Sequence, residues 1–154
     1  MNDNLDVRIV TLEPLHVAAA LGFGTEPELR AQRMLLTWAR AHCLLDGPDA
    51  PRFFGFDNPS PSAGSPEYGY ELWVTVPPGV AAEAPVQIKH FPGGLYAVTR
   101  CHGVQDIMAT WQRLSAWVER SPYRPAEHQC LEEHVRFIDV PFEEYVLDLY
   151  HPVK

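Results

Sequence analysis

Val17-Ala18-Ala19-Ala20-Leu21-Gly22-Phe23-Gly24 is an apolar strand that runs into a glycine, and the chain writes this pattern twice. Shifted by 79 residues, Gly24 falls on Gly103, Val17-Ala18-Ala19 on Tyr96-Ala97-Val98, Leu35 on Leu114 and Trp38 on Trp117. Identities are few, but each copy has a strand, a glycine and then an amphipathic helix bearing a late tryptophan. In the first helix Ala31, Met34, Leu35, Trp38, Ala41 and Leu45 recur at three- and four-residue steps. Ile107, Trp111, Leu114, Trp117 and Val118 do so in the second. Such stripes are core faces.

Strand-like runs surround both helices. Residues 52–57 and 68–77 follow the first, and residues 129–137 and 145–151 follow the second. Residues 7–12 and 15–23 read as two strands broken near Pro14. Residues 86–91 and 95–101 flank Pro92-Gly93-Gly94, which has hairpin chemistry. Residues 58–67, rich in proline and serine, read as a surface loop. The expected fold is α+β. Residues 1–154 form a single domain of two strand-helix-strand-strand units, about 5–77 and 86–154, in pseudo-two-fold arrangement with a central ligand cleft.

The formal charge of −8 and the pI near 5.3 argue against direct nucleic-acid binding, which depends on Lys and Arg neutralising phosphates. No apolar run is long enough to span a membrane, and the acidic N-terminus lacks a signal-peptide stretch. Cys43, Cys101 and Cys130 are odd in number and widely spaced, as expected of reduced thiols in a cytoplasmic protein. No cofactor is expected. Gly22-Phe23-Gly24 has Pro27 where a dinucleotide fingerprint needs its third glycine. His128, Cys130, Glu132 and His134 alternate along one strand face. Four such positions spread over about 20 Å, too far to converge on one ion, so no metal is expected.

Chemistry concentrates on Tyr68-Gly69-Tyr70-Glu71-Leu72-Trp73-Val74-Thr75-Val76-Pro77. Alternation puts Tyr70, Leu72, Val74 and Val76 on a core face, and Glu71, Trp73 and Thr75 on the other. A carboxylate in apolar surroundings must be wet, paired or waiting for a ligand. Beside an indole it suits a delocalised cation, with cation–π attraction of about 0.5–2 kcal/mol. Desolvation would raise its pKa, which also suits acid–base chemistry. Asp148 and Tyr150 are the second-half counterparts of Glu71 and Trp73. On the strand before Phe137, Leu131, Val135 and Phe137 are expected inside, with Glu132 and His134 facing the cleft or water. The expected ligand set is Glu71, Trp73, Tyr96, Glu132, His134 and Tyr150.

Arg52-x-Phe54-Gly55-Phe56-Asp57-Asn58-Pro59 and Tyr70-Glu71-x-Trp73-Val74-x-Val76-Pro77 come in an order that resembles the GyrI-like small-molecule-binding family. So do Gly93-Gly94-x-Tyr96-Ala97-Val98, Ser121-Pro122-Tyr123, Cys130-Leu131-Glu132 and Asp148-Leu149-Tyr150-x-Pro152-Val153-Lys154. The resemblance spans essentially the whole chain. It implies the duplicated fold with a ligand cleft, found in the effector-binding part of AraC- and MerR-type multidrug regulators and in stand-alone proteins. A buried glutamate matching Glu71 is the recognition acid for cationic lipophilic drugs in that family. This chain departs from the regulators, since about six residues precede its first strand, and it has His134 where many members carry an aromatic. The resemblance therefore implies a stand-alone sensor or sequestering protein for hydrophobic or cationic aromatic compounds. Two alternatives follow from it. One is a hydrolase of cyclopropane-bearing alkylators using Glu71 or Glu132. The other is a gyrase-inhibitor-like interaction protein, with exposed edge strands open to a homodimer or protein partner.

Overall fold

A computed structural model describes residues 5–46, 50–61, 64 and 67–154. Its elements are β1 (Val7–Leu12), β2 (Leu15–Gly24), α1 (Pro27–Ala41), β3 (Phe53–Asp57), β4 (Tyr68–Thr75), β5 (Gln87–Phe91), β6 (Gly94–His102), α2 (Ile107–Arg120), β7 (Leu131–Arg136) and β8 (Val146–Pro152). The fold is α+β, as the alternating periodicities implied. Part of the loop expected at residues 58–67 lies outside the described residues.

Contacts gather into two compact units. Leu15–Phe91 forms one, and Pro92–Lys154 with the segment ending at Pro14 forms the other. In the first unit the strands run antiparallel in the order β3-β4-β2-β5. In the second the order is β7-β8-β6-β1, the same arrangement built from the repeated elements.

This pairing corrects two expectations. Residues 92–94 do not close a hairpin, because β5 pairs with β2 while β6 pairs with β1 and β8. The repeat boundaries at 5–77 and 86–154 also shift, since β1 joins the second unit and β5 the first. The glycines that suggested a turn serve a close approach instead. Gly93 has φ 82°, and a Cβ there would lie 2.1 Å from the carbonyl oxygen of Leu12, the last residue of β1, where β6 begins its pairing with that strand.

In each unit one helix covers one face of the strands. Pro27 and Glu28 suit the first turn of α1, and Arg40 suits its last. Its buried stripe is Ala31, Leu35, Leu36, Trp38 and Ala39. Gly22 lets α1 approach β2 at backbone distance, since a Cβ there would sit 2.2 Å from the Pro27 carbonyl oxygen. In the second unit Leu114 and Val118 of α2 pack on Ala97, Cys101, Leu147, Leu149 and Val153. No helix among the described residues is long and apolar enough to cross a membrane.

Candidate functional site

The α1 face of the first unit's strands carries Ala18, Ala20 and Gly22 of β2 opposite Val74, Leu72 and Tyr70 of β4. Alternation then puts Val17, Ala19, Leu21 and Phe23 on the other face with Thr75, Trp73 and Glu71. Phe54 and Phe56 of β3 stand across from Trp73 and Glu71 on that face. Lys89 and Phe91 of β5 stand across from Val17 and Leu15. The acid and the indole thus lie on the face predicted for them.

Glu71 is 3% exposed. Its Oε1 accepts from Asn58 Nδ2 at 3.0 Å, and its Oε2 accepts from Trp73 Nε1 at 2.6 Å and from Lys89 Nζ at 2.9 Å. Burial pushes the carboxyl's pKa up, but the bonds from Trp73, Lys89 and Asn58, with the Lys89 charge, outweigh it and hold the pKa below its usual value. This corrects the expectation of a raised pKa: three donors convert a costly buried acid into a stable anion. The Trp73 ring meets Phe56 edge-on at 5.2 Å and Phe91 at 5.2 Å. Leu21 and Phe23, further along the same face, are 48% and 53% exposed. A buried anion beside aromatic and aliphatic side chains has the chemistry that attracts a positive charge carried on an apolar group.

The second unit repeats the theme differently. Asp148 of β8 is buried and accepts from Arg8 at 2.8 Å and from Arg100 at 2.8 and 3.1 Å. Burial raises its pKa, and the two arginines more than reverse the effect. Tyr150, on the same face, donates to Glu133 Oε1 at 2.6 Å and meets the Tyr96 ring at 5.4 Å. Tyr96 is fully buried and donates to the Gln129 carbonyl oxygen at 2.5 Å. Burial, with Cys130 nearby, raises its pKa.

Glu132 and His134 are not where the sequence reading put them. They stand across from Leu149 and Leu147, on the α2 side of the sheet. Glu132 Oε2 accepts from Trp111 Nε1 of α2 at 2.9 Å. His134 packs against Phe137 at 5.2 Å, and burial lowers its pKa to about 4. Val135, expected inside, is 44% exposed. The irregular register between His134 and Arg136 explains why alternation fails towards Phe137. The structure therefore brings Glu71 and Trp73 together in one unit and Tyr96 and Tyr150 together in the other. Lys89, Asn58 and Phe91 were missed. For Lys89 and Phe91 the signal was the alternation Gln87, Lys89, Phe91 along β5, which puts a cation and an aromatic on one face. Among the described residues no three His, Cys, Asp or Glu side chains are grouped to hold a metal ion.

A family model described as Cass2, integron-associated effector binding protein, matches residues 8–153. The solved EcmrR C-terminal domain is similar in fold, with 12% identity, TM-score 0.73, and 98% of each chain covered. SAV2435, solved bound to tetraphenylphosphonium, shares 14% identity at TM-score 0.60, covering 97% of this chain and 94% of that one. A hydrolase from Listeria innocua shares 14% identity at TM-score 0.70, covering 96% and 91%. Comparison with curated proteins gave no match.

Proposed function

We propose, from the premise that this chain belongs to the Cass2 family of integron-associated effector-binding proteins, that it binds small aromatic molecules around Glu71, lipophilic cations included. The role that follows is a sensor or a sequestering protein. The observation that carries this reading is Glu71 itself, a buried carboxylate on the helix-free face, with Trp73, Phe56, Phe91, Leu21 and Phe23 around it. The solved SAV2435 complex with a phosphonium cation adds support from a protein of the same fold. Hydrolysis through Glu132 has no comparable support, because that carboxylate is tied to Trp111 on the α2 side.

The test is titration of intrinsic tryptophan fluorescence with tetraphenylphosphonium and with a neutral aromatic analogue. Glu71→Gln keeps the shape and removes the charge. It is expected to weaken the cation by about tenfold or more while leaving the neutral analogue within about twofold. Equal losses for both would overturn the role assigned to the charge.

A further inference from the structure

Lys89 presents its Nζ 2.9 Å from Glu71 Oε2, where a ligand's positive charge would have to sit. We infer that Lys89 is a built-in rival of cationic ligands, occupying Glu71 until a ligand cation takes its place and releases the ammonium to water. This rests on reading the helix-free face of the first unit as the ligand site.

Three observations support exchange over a permanent lock. The Lys89 side chain is 41% exposed while that of Glu71 is 4% exposed, so the ammonium can leave towards solvent without crossing the protein. Trp73 and Asn58 stay bonded to the carboxylate when Lys89 departs, so the acid keeps one donor on each oxygen. The contrast with Asp148 is the third. There two guanidinium groups make three bonds to one carboxylate, a planar, preorganised clasp. Glu71 has one flexible ammonium, which pays side-chain entropy to stay and is strongly hydrated once released.

The exchange also selects a ligand class. A bound cation that replaces Lys89 leaves the site with the same net charge, so no new charge is buried. A large, weakly hydrated monocation loses little water on entering and gains the aromatic rim, whereas a compact ammonium ion has no advantage over Lys89. Neutral aromatics leave the ion pair intact and are indifferent to it.

The experiment is calorimetric titration at pH 8 of tetraphenylphosphonium and of neutral triphenylphosphine oxide into the full chain and its variants. Lys89→Met removes the rival and is expected to tighten phosphonium binding about three- to tenfold. Lys89→Arg keeps the fold's ion pair, strengthens the rival and is expected to weaken phosphonium by a similar factor. The oxide should change by less than about twofold throughout. If Lys89→Met does not fold, shown by its melting curve, Lys89→Arg decides alone. Phosphonium affinity that fails to rise in Lys89→Met, or to fall in Lys89→Arg, overturns the inference. Loss of phosphonium binding in Glu71→Gln alongside silent Lys89 variants would overturn the rival and leave the site standing. Unchanged binding in Glu71→Gln would overturn both.

Discussion

At the scale of single residues, burial has opposite effects on His134 and on the two acids. His134 has its pKa lowered from 6.5 to about 4 by burial. Below pH 6.5 the unfolded chain takes up a proton that the folded chain refuses, so stability falls as the pH drops towards 4. The loss between pH 7 and pH 5 should be about 2 kcal/mol, and His134→Gln should flatten it in urea melts at the two pH values. Glu71 and Asp148 have lowered pKa values, so their contribution is complete above the ordinary carboxylate range. It is lost as the pH falls through their folded values. Asp148→Asn should cost about 2 kcal/mol or more at pH 7, because Arg8 and Arg100 then lose their anion; chemical denaturation measures it. Period-two alternation made Glu71 and Trp73 legible in the sequence. Lys89 was not, because its contact crosses β2 from a strand 18 residues further on, and alternation within β4 carries no information about that.

At the scale of elements, the helix–sheet contacts rest on small residues in one unit and on a polar tie in the other. Gly22→Ala would drive a methyl into the backbone of α1 at Pro27 and Ala31. A cost of about 2–3 kcal/mol is expected in thermal or chemical unfolding, with α1 forced off β2. Trp111→Phe would remove the donor to Glu132 and should cost about 1–2 kcal/mol. Both helices were readable from their apolar stripes, although α1 ends at Ala41, short of the Leu45 assigned to it, and the strand limits follow turn residues closely. β7 was misjudged for a physical reason. Its Glu and His residues look like a solvent face, yet α2 covers that side and supplies an indole N–H to the acid.

At the scale of the molecule, each unit contains a strand that sequence order would assign to the other repeat. Short-range pairing rules favour neighbours in the chain, so a hairpin of β5 with β6 at residues 92–94 was expected, and β5 pairs instead with β2 and β6 with β1 and β8. Removing residues 1–12 should therefore strip β6 of one of its two partners and Asp148 of Arg8. Hydrogen exchange is expected to quicken in β6 and β8 well before β2 and β4. The duplication has a further outcome in the two inner strand pairs. Across from Asp148 stands Arg100, while the matching place across from Glu71 is held by Leu21. Two copies of one pattern thus differ at a single cross-strand position, a guanidinium facing one acid and an aliphatic chain the other; under the proposed function this is a division of labour, with Asp148 holding its own half together and Glu71 left to exchange its cation. A Leu21→Arg chain should undo that division, melting higher while turning cations away.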